Sequence, residues 1–254
     1  MFRGRCRWTI GLLLLLCLLG ASRASAGEPL PEITLSGSSD VKNSYLGRWL
    51  QLIYTDAFAR LGYSFKYLAL PMRRSGAASS SGLSDGEINR LYDYDTFEPS
   101  LVRVEEPHFI TRYVAYAARP GFRMNGWASL AGKGWTVGYL AGTRRPEKML
   151  TSVLPKEEMV ATMNLDAGMH MLYLKRIDLL IYSEPLMQDW LRRHEDPSID
   201  TSVFYVAGEL EPVTYHVFLA RKYADLAPKL SEILRKMRKD GLIEQYRLQA
   251  LASP

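Results

Sequence analysis

Two blocks of alternating strand and helix signals predict an α/β protein. In the first block, Ile33–Gly37 reads as a strand, and Leu46, Leu50, Ile53, Tyr54, Ala57 and Leu61 then recur at helical spacing. Gly62 ends that helix, and Phe65, Tyr67 and Ala69 alternate with Lys66 and Leu68 as a second strand. Strand, helix and strand in so short a span form a βαβ unit with a parallel sheet. In the second block, Trp135, Val137 and Tyr139 alternate with Thr136, Gly138 and Leu140, and Asp178–Tyr182 has the continuous apolar character of a buried parallel strand. Two strand-like crossings, near Ala115–Arg119 and Val206–Pro212, connect the blocks. They divide the chain into a first lobe of residues 27–117 plus 210–254 and a second of residues 118–209.

Ahead of these blocks, Arg3, Arg5 and Arg7 precede the apolar run Ile10–Leu19, and small residues end in Ala24-Ser25-Ala26. This is the three-part pattern of a secretory signal peptide, residues 1–26, with cleavage after Ala26 and a periplasmic destination. The apolar run is too short for a membrane span, which needs ~20 residues. Leu16 is too bulky for lipoprotein processing at Cys17. Cleavage removes both cysteines, Cys6 and Cys17, so the mature chain has neither disulfide nor thiol nucleophile. It also removes four arginines and no acidic residue, leaving 28 basic against 27 acidic side chains. The basic character of the whole chain belongs mostly to the leader, which argues against a nucleic-acid partner.

Taken in order, Pro71 opens a helix-like segment carrying Arg73 and Arg74 that ends in the small residues Ala77–Gly82. The run Asp85-Gly86-Glu87-Ile88-Asn89-Arg90 is turn-prone and is expected to end a short strand. Ligands of open α/β sheets lie beyond the carboxyl ends of strands, which makes Asp85, Glu87 and Arg90 cleft candidates. Leu101–Val104 and Tyr113–Ala118 read as strands. Glu105 and Glu106 between them point to opposite faces and so do not share a site.

After Tyr139, Gly142 permits a backbone angle that other residues avoid, Thr143 is suited to an N-cap, and Pro146 fits a first helical turn. A helix starting there aims unpaired N–H groups and a positive dipole end at its surroundings, a seat for a carboxylate or phosphate. An ordinary strand-to-helix connection has the same signature, and both readings stay open on this stretch alone. It is neither a P-loop nor a dinucleotide-binding turn. Met159–Met163 reads as a strand, Leu165–Tyr173 as a helix, and Met187, Trp190 and Leu191 mark another. The methionines at 163, 169, 171 and 187 read as core gap-fillers. Ser202–Val206 and Val213–Ala220 read as two strands flanking Gly208–Pro212. Tyr223–Leu251 reads as a helical tail broken at Asp240-Gly241.

Catalytic signatures are lacking: there is no His-Glu-x-x-His, Cys-x-x-Cys or Gly-x-Ser-x-Gly. His108, His170, His194 and His216 do not have metal-ligand spacing. No metal, cofactor or catalytic residue is therefore assigned. Fifteen tyrosines, several arginines and an anion-seating turn suit a small polar ligand instead.

The order of these pieces resembles the bacterial extracellular solute-binding proteins of family 3. The likeness rests on the Leu50–Leu61 helix ending in Leu-Gly, on Asp85-Gly86, on Glu106-Pro107, on Trp127-x-x-Leu130-x-Gly132-Lys133, on Val137-Gly138-x4-Thr143 and on Arg176-Ile177-Asp178. It implies the two-lobed type 2 periplasmic binding protein fold, with a ligand clamped in a cleft between lobes joined by two crossover segments. It also implies that Thr143 seats a ligand carboxylate. Two positions depart from the amino-acid binders. Their Thr-x-x-Arg is replaced by Phe97-Glu98-Pro99-Ser100, and Ser183, followed by Glu184, stands where they carry an aspartate. Arg74 and Arg90 are the candidates for the missing positive charge, and Glu87, Ser183 and Glu184 for a cationic or hydroxyl end. Tyr139 and Tyr182 would pack on the ligand body, beside Gly142. The resemblance implies a monomeric carrier of a small carboxylate-bearing, amino-acid-like solute, working with an inner-membrane ABC permease. Two alternatives are a sensing subunit for a membrane receptor and an enzyme similar to cyclohexadienyl dehydratases, with Glu184 or Glu87 as general acid.

Overall fold

A computed structural model of the protein describes residue 1 and residues 29–252, apart from the side chain of Arg73. The expected signal peptide lies outside the described residues. The elements are β1 (Glu32–Ser38), α1 (Ser39–Lys42), α2 (Tyr45–Ala59), β2 (Ser64–Leu70), α3 (Met72–Ser80), β3 (Gly86–Leu91), β4 (Leu101–Arg103), β5 (Phe109–Ala117) and β6 (Met124–Asn125). They continue with β7 (Val137–Leu140), α4 (Arg144–Thr151), β8 (Met159–Thr162), α5 (Leu165–Tyr173), β9 (Leu179–Ser183), α6 (Glu184–Arg193), β10 (Tyr205–Ala220), α7 (Leu226–Lys239) and α8 (Leu242–Ala252).

The strands form one curled sheet in the order β2-β1-β3-β10-β5-β9-β7-β8, with β4 and β6 also paired to β10. At one end β1 runs parallel to β2 and β3; at the other β7 runs parallel to β8 and β9. The antiparallel pair β5–β10 joins the two parallel ends. A first core packs Leu46, Leu50, Ile53 and Phe58 of α2 against Ile33, Leu35 and Ile88, and closes with Leu230, Leu234 and Ile243 from the end of the chain. At the other end the sheet is covered on both faces. Tyr113, Ala115, Leu179 and Ile181 pack with Leu150 on one side. Val114, Tyr116 and Leu180 pack with Met169, Leu172 and Met187 on the other. Side chains alternate along a strand, so a strand buried on both faces must be apolar throughout, as Leu179–Tyr182 is.

Four local expectations are corrected. The run Asp85–Arg90 does not merely end a strand: residues 86–90 lie within β3, because pairing with β1 and β10 outweighs their turn propensity. The two strands expected around Gly208–Pro212 are one 16-residue strand. It absorbs the irregular segment by register shifts between Val206 and Gly208 and between Glu209 and Glu211, β-bulges that bend the strand and raise its twist. Ser202 and Val203 belong to a short 3-10 turn, and the strand begins only at Tyr205. Met169 and Met187 fill the core as expected, but Met163 is exposed beyond the end of β8. The break at Gly241 is present, with the positive φ that glycine tolerates.

Candidate functional site

Between the two parallel ends lies a cavity of about 440 Å³. Its walls come from the β1–α1 turn, α3, β3 and the segment after it on one side, and from β7, the start of α4 and β9 on the other. Tyr113 of β5 and Tyr215 of β10 also line it, their hydroxyls 3.4 Å apart.

Six of the ten residues singled out from the sequence converge here: Arg90, Tyr139, Gly142, Thr143, Tyr182 and Ser183. The other four do not line the cavity. Asp85 accepts from the Thr34 N–H at 3.0 Å and pairs with Lys222 at 2.7 Å. Arg74 is exposed on α3. Glu184 is held by a two-pronged pair from Arg112, 2.7 and 2.9 Å, beside β5. Glu87 is fully buried under the first wall, ion-paired with Arg90 and accepting from the hydroxyls of Ser79 at 3.0 Å and Tyr94 at 3.1 Å. Burial pushes the Glu87 carboxyl above its ordinary range, and Arg90 opposes that push. Arg90 also donates to Ser75 Oγ at 2.7 Å and stacks over the Tyr94 ring, so its charge is largely spent inside the protein.

The strand-to-helix turn departs from the expected cap. Gly142 takes φ of 88°, in the left-handed region that a side chain disfavours. Thr143 occupies the N-cap position, but its hydroxyl donates to Leu140 O at 2.5 Å and makes no cap bond. The first N–H groups of α4 thus keep no side-chain partner. Arg144 and Arg145 follow at once, in a sequence position where basic residues oppose the helix dipole. Arg145 is compensated by Glu211, at 2.8 and 2.6 Å, and reaches Asp93 at 3.5 Å. Arg144 has no ion pair among the described residues; its guanidinium sits 5.4 Å from the centre of the Phe97 ring on the opposite wall. Asp40, also on that opposite side, lines the cavity without an ion pair among the described residues; burial first, and then Asp40, raise the pKa of Tyr182.

Sequence reasoning missed Arg144, Asp40, Asn89 and Phe97 as wall residues. The signal for Arg144 was its place directly after Thr143; for Asp40 and Asn89 it was their place at the carboxyl ends of β1 and β3. For Phe97 it was the resemblance, since Phe97-Glu98-Pro99-Ser100 stands where the amino-acid binders carry Thr-x-x-Arg. Among the described residues no group of His, Asp, Glu or Cys is arranged to hold a metal ion. His108 and His216 are buried and hydrogen-bonded.

An uncharacterised protein of Shewanella oneidensis is 32% identical over 229 residues, covering 90% of this chain and 86% of the relative. The chain belongs to one family with that protein. No family model matches the chain. Among solved structures, a histidine kinase sensor domain similar to periplasmic binding proteins matches with a TM-score of 0.70 at 18% identity, covering 87% of this chain and 96% of that one. The ligand-binding core of GluR0 with L-glutamate gives 0.68 at 14% identity over 89% and 100%. An amino acid ABC transporter substrate-binding protein from Streptococcus pneumoniae, bound to L-arginine, gives 0.68 at 14% identity over 86% and 94%. The fold is that of the type 2 periplasmic binding proteins.

Proposed function

We propose that the chain is an exported, monomeric solute-binding protein that clamps a small carboxylate-bearing, amino-acid-like solute between two lobes, residues 27–117 plus 210–254 and residues 118–209. The observation that carries this reading is the cavity itself: walls from both ends of the sheet, Arg144 at an open helix start and Asp40 across from it, both without an ion pair among the described residues. In this reading a ligand carboxylate takes the first N–H groups of α4 together with Arg144. Charge-assisted hydrogen bonds of this kind are worth about 1.5–3 kcal/mol each. Asp40 receives a cationic group, and Tyr139 and Tyr182 flank the body with Gly142, Thr143 and Ser183 nearby. Arg90 contributes an edge of the wall rather than net charge. Arg74, Glu87 and Glu184 are left out of the contact set because they lie outside the lining.

The signal peptide would be removed after Ala26, and the membrane partner would be an ABC permease or a sensor receptor. The structural neighbours include both a transporter's binding protein and a sensor domain. The enzyme alternative is less well supported, because Glu184 and Glu87, the carboxyls weighed as general acid, are both held by arginines.

The test is a thermal-shift screen of amino acids and small carboxylates, since a solute that binds only the folded state raises the melting temperature. Calorimetry on the solutes so found then compares parent, Arg144→Ala and Asp40→Asn. Arg144→Ala should weaken binding at least tenfold, about 1.4 kcal/mol. A solute without any anionic group, or equal affinity in parent and Arg144→Ala, would sink the carboxylate assignment.

A further inference from the structure

Behind the first wall, three side chains form a hydrogen-bonded line that ends at the cavity. Tyr54 Oη lies 2.7 Å from His108 Nδ1, and His108 Nε2 lies 3.0 Å from Asn89 Oδ1. Tyr54 and His108 are both completely buried, on α2 and just before β5, while Asn89 stands on β3 and lines the cavity. Burial first, then His216 and Arg238, hold the His108 pKa well below the ordinary value, which favours the neutral ring.

A neutral imidazole carries one proton, so the line has only two polarities. In the first, the Tyr54 O–H donates to Nδ1, and the proton on Nε2 is donated to Asn89 Oδ1. In the second, Nδ1–H donates to the Tyr54 oxygen, and Nε2 accepts from an inverted Asn89 amide. The second leaves the Tyr54 hydroxyl proton without an acceptor, since His108 is its one hydrogen-bond partner among the described residues. A buried donor left unmet is what folded proteins avoid. The first polarity satisfies every buried group in the line.

We infer that Tyr54 and His108 position the Asn89 carboxamide, locking its oxygen inward so that its two N–H bonds face the cavity as donors for an acceptor group of the solute. Asn89 Nδ2 has no hydrogen-bond partner among the described residues, which leaves both protons for that purpose. The inference rests on the solute-binding reading for its purpose, but not for its geometry. It adds a neutral, directional contact to a site whose other features are charges, and it favours a carboxylate or carbonyl oxygen over a donor group at that wall.

The test needs no identified solute. Ring-nitrogen NMR of the full mature protein should place the His108 proton on Nε2, and Tyr54→Phe, which removes the donor to Nδ1, should shift the Nδ1 signal while the proton stays on Nε2. Sodium acetate, as the smallest carboxylate probe, should shift the Asn89 side-chain N–H signals saturably, with sodium chloride as the salt control. The acetate shift should fall in Tyr54→Phe, which keeps the ring and its packing. A proton on Nδ1 in the parent, or an Nδ1 signal unmoved by Tyr54→Phe, would overturn the relay. An Nε2 proton with no acetate response at Asn89 would overturn the donor role. If the relay and the acetate response hold while no larger solute binds, it is the transport reading that falls.

Discussion

Replacing Arg90 with alanine isolates the buried pair beneath the cavity. Glu87 is 0% exposed and Arg90 16% exposed, so the substitution strands a carboxylate away from water. Removing one partner of a buried pair costs about 3–5 kcal/mol. The lower end applies here, because the hydroxyls of Ser79 and Tyr94 still donate to Glu87 and Arg90 is not wholly desolvated. A loss of about 3 kcal/mol in a protein of this size lowers the melting temperature by roughly 6–12 °C. The pH dependence follows from the Glu87 carboxyl, whose folded-state pKa is already raised by burial and held back by Arg90. Without Arg90 it rises further. A group with a raised folded-state pKa contributes most when protonated, and that contribution is lost as pH climbs through the folded value. The deficit of Arg90→Ala should therefore be largest at neutral pH and shrink as the solution is acidified towards the carboxylate range. Urea denaturation followed by tryptophan fluorescence measures this. Adding Glu87→Gln should recover much of the loss and flatten the pH dependence. An equal deficit at every pH, or no recovery in the double variant, would refute the account.

Three further outcomes are expected. Gly142→Ala should cost about 1–2 kcal/mol in chemical denaturation, because its φ of 88° is strained for any residue with a Cβ. Leu50→Ala, fully buried between α2 and the sheet, should cost about 3–5 kcal/mol by the same measurement, with a small loss pointing to a looser core. Protein exported to the periplasm should begin at Gly27 by N-terminal sequencing, and an N-terminus still at Met1 would contradict cleavage after Ala26.

The alternation of apolar residues made much of the fold legible. α2, β2, β8, α5, β9 and the tail broken at Gly241 follow their sequence signals because each buries a face or stripe that the sequence itself displays. β3 and β10 were harder. Glu87 and Asn89 look like turn residues, and Gly208 and Pro212 look like a break, yet long-range pairing imposes strand on both. No local pattern encodes the partner strand that does so. The cavity was partly legible for a similar reason. Gly142 and Thr143 announce a helix start, position at strand ends marks Tyr139 and Tyr182, and the resemblance marks Ser183. Glu87 is expected at the ligand because its run looks like the end of a strand, whereas its burial against Arg90 depends on α3 folding over β3. Arg144 and Asp40 looked like ordinary surface charges, and only the arrangement of the two walls shows them facing a common space.

The buried residues of the first core come from two separated stretches, Ile33 to Phe109 and Val217 to Ala250, whereas those of the other two all fall between Tyr113 and Leu210. A polypeptide delivered N-terminus first thus completes the inner section before the outer one. Until α7 and α8 emerge, the surfaces of Leu46, Leu50 and Ile53 that await Leu230, Leu234 and Ile243 stay uncovered. Unsealed apolar surface of that kind is what aggregates or recruits chaperones. Loss of the last two helices should therefore act on yield and solubility during synthesis, even though they lie outside the cavity lining.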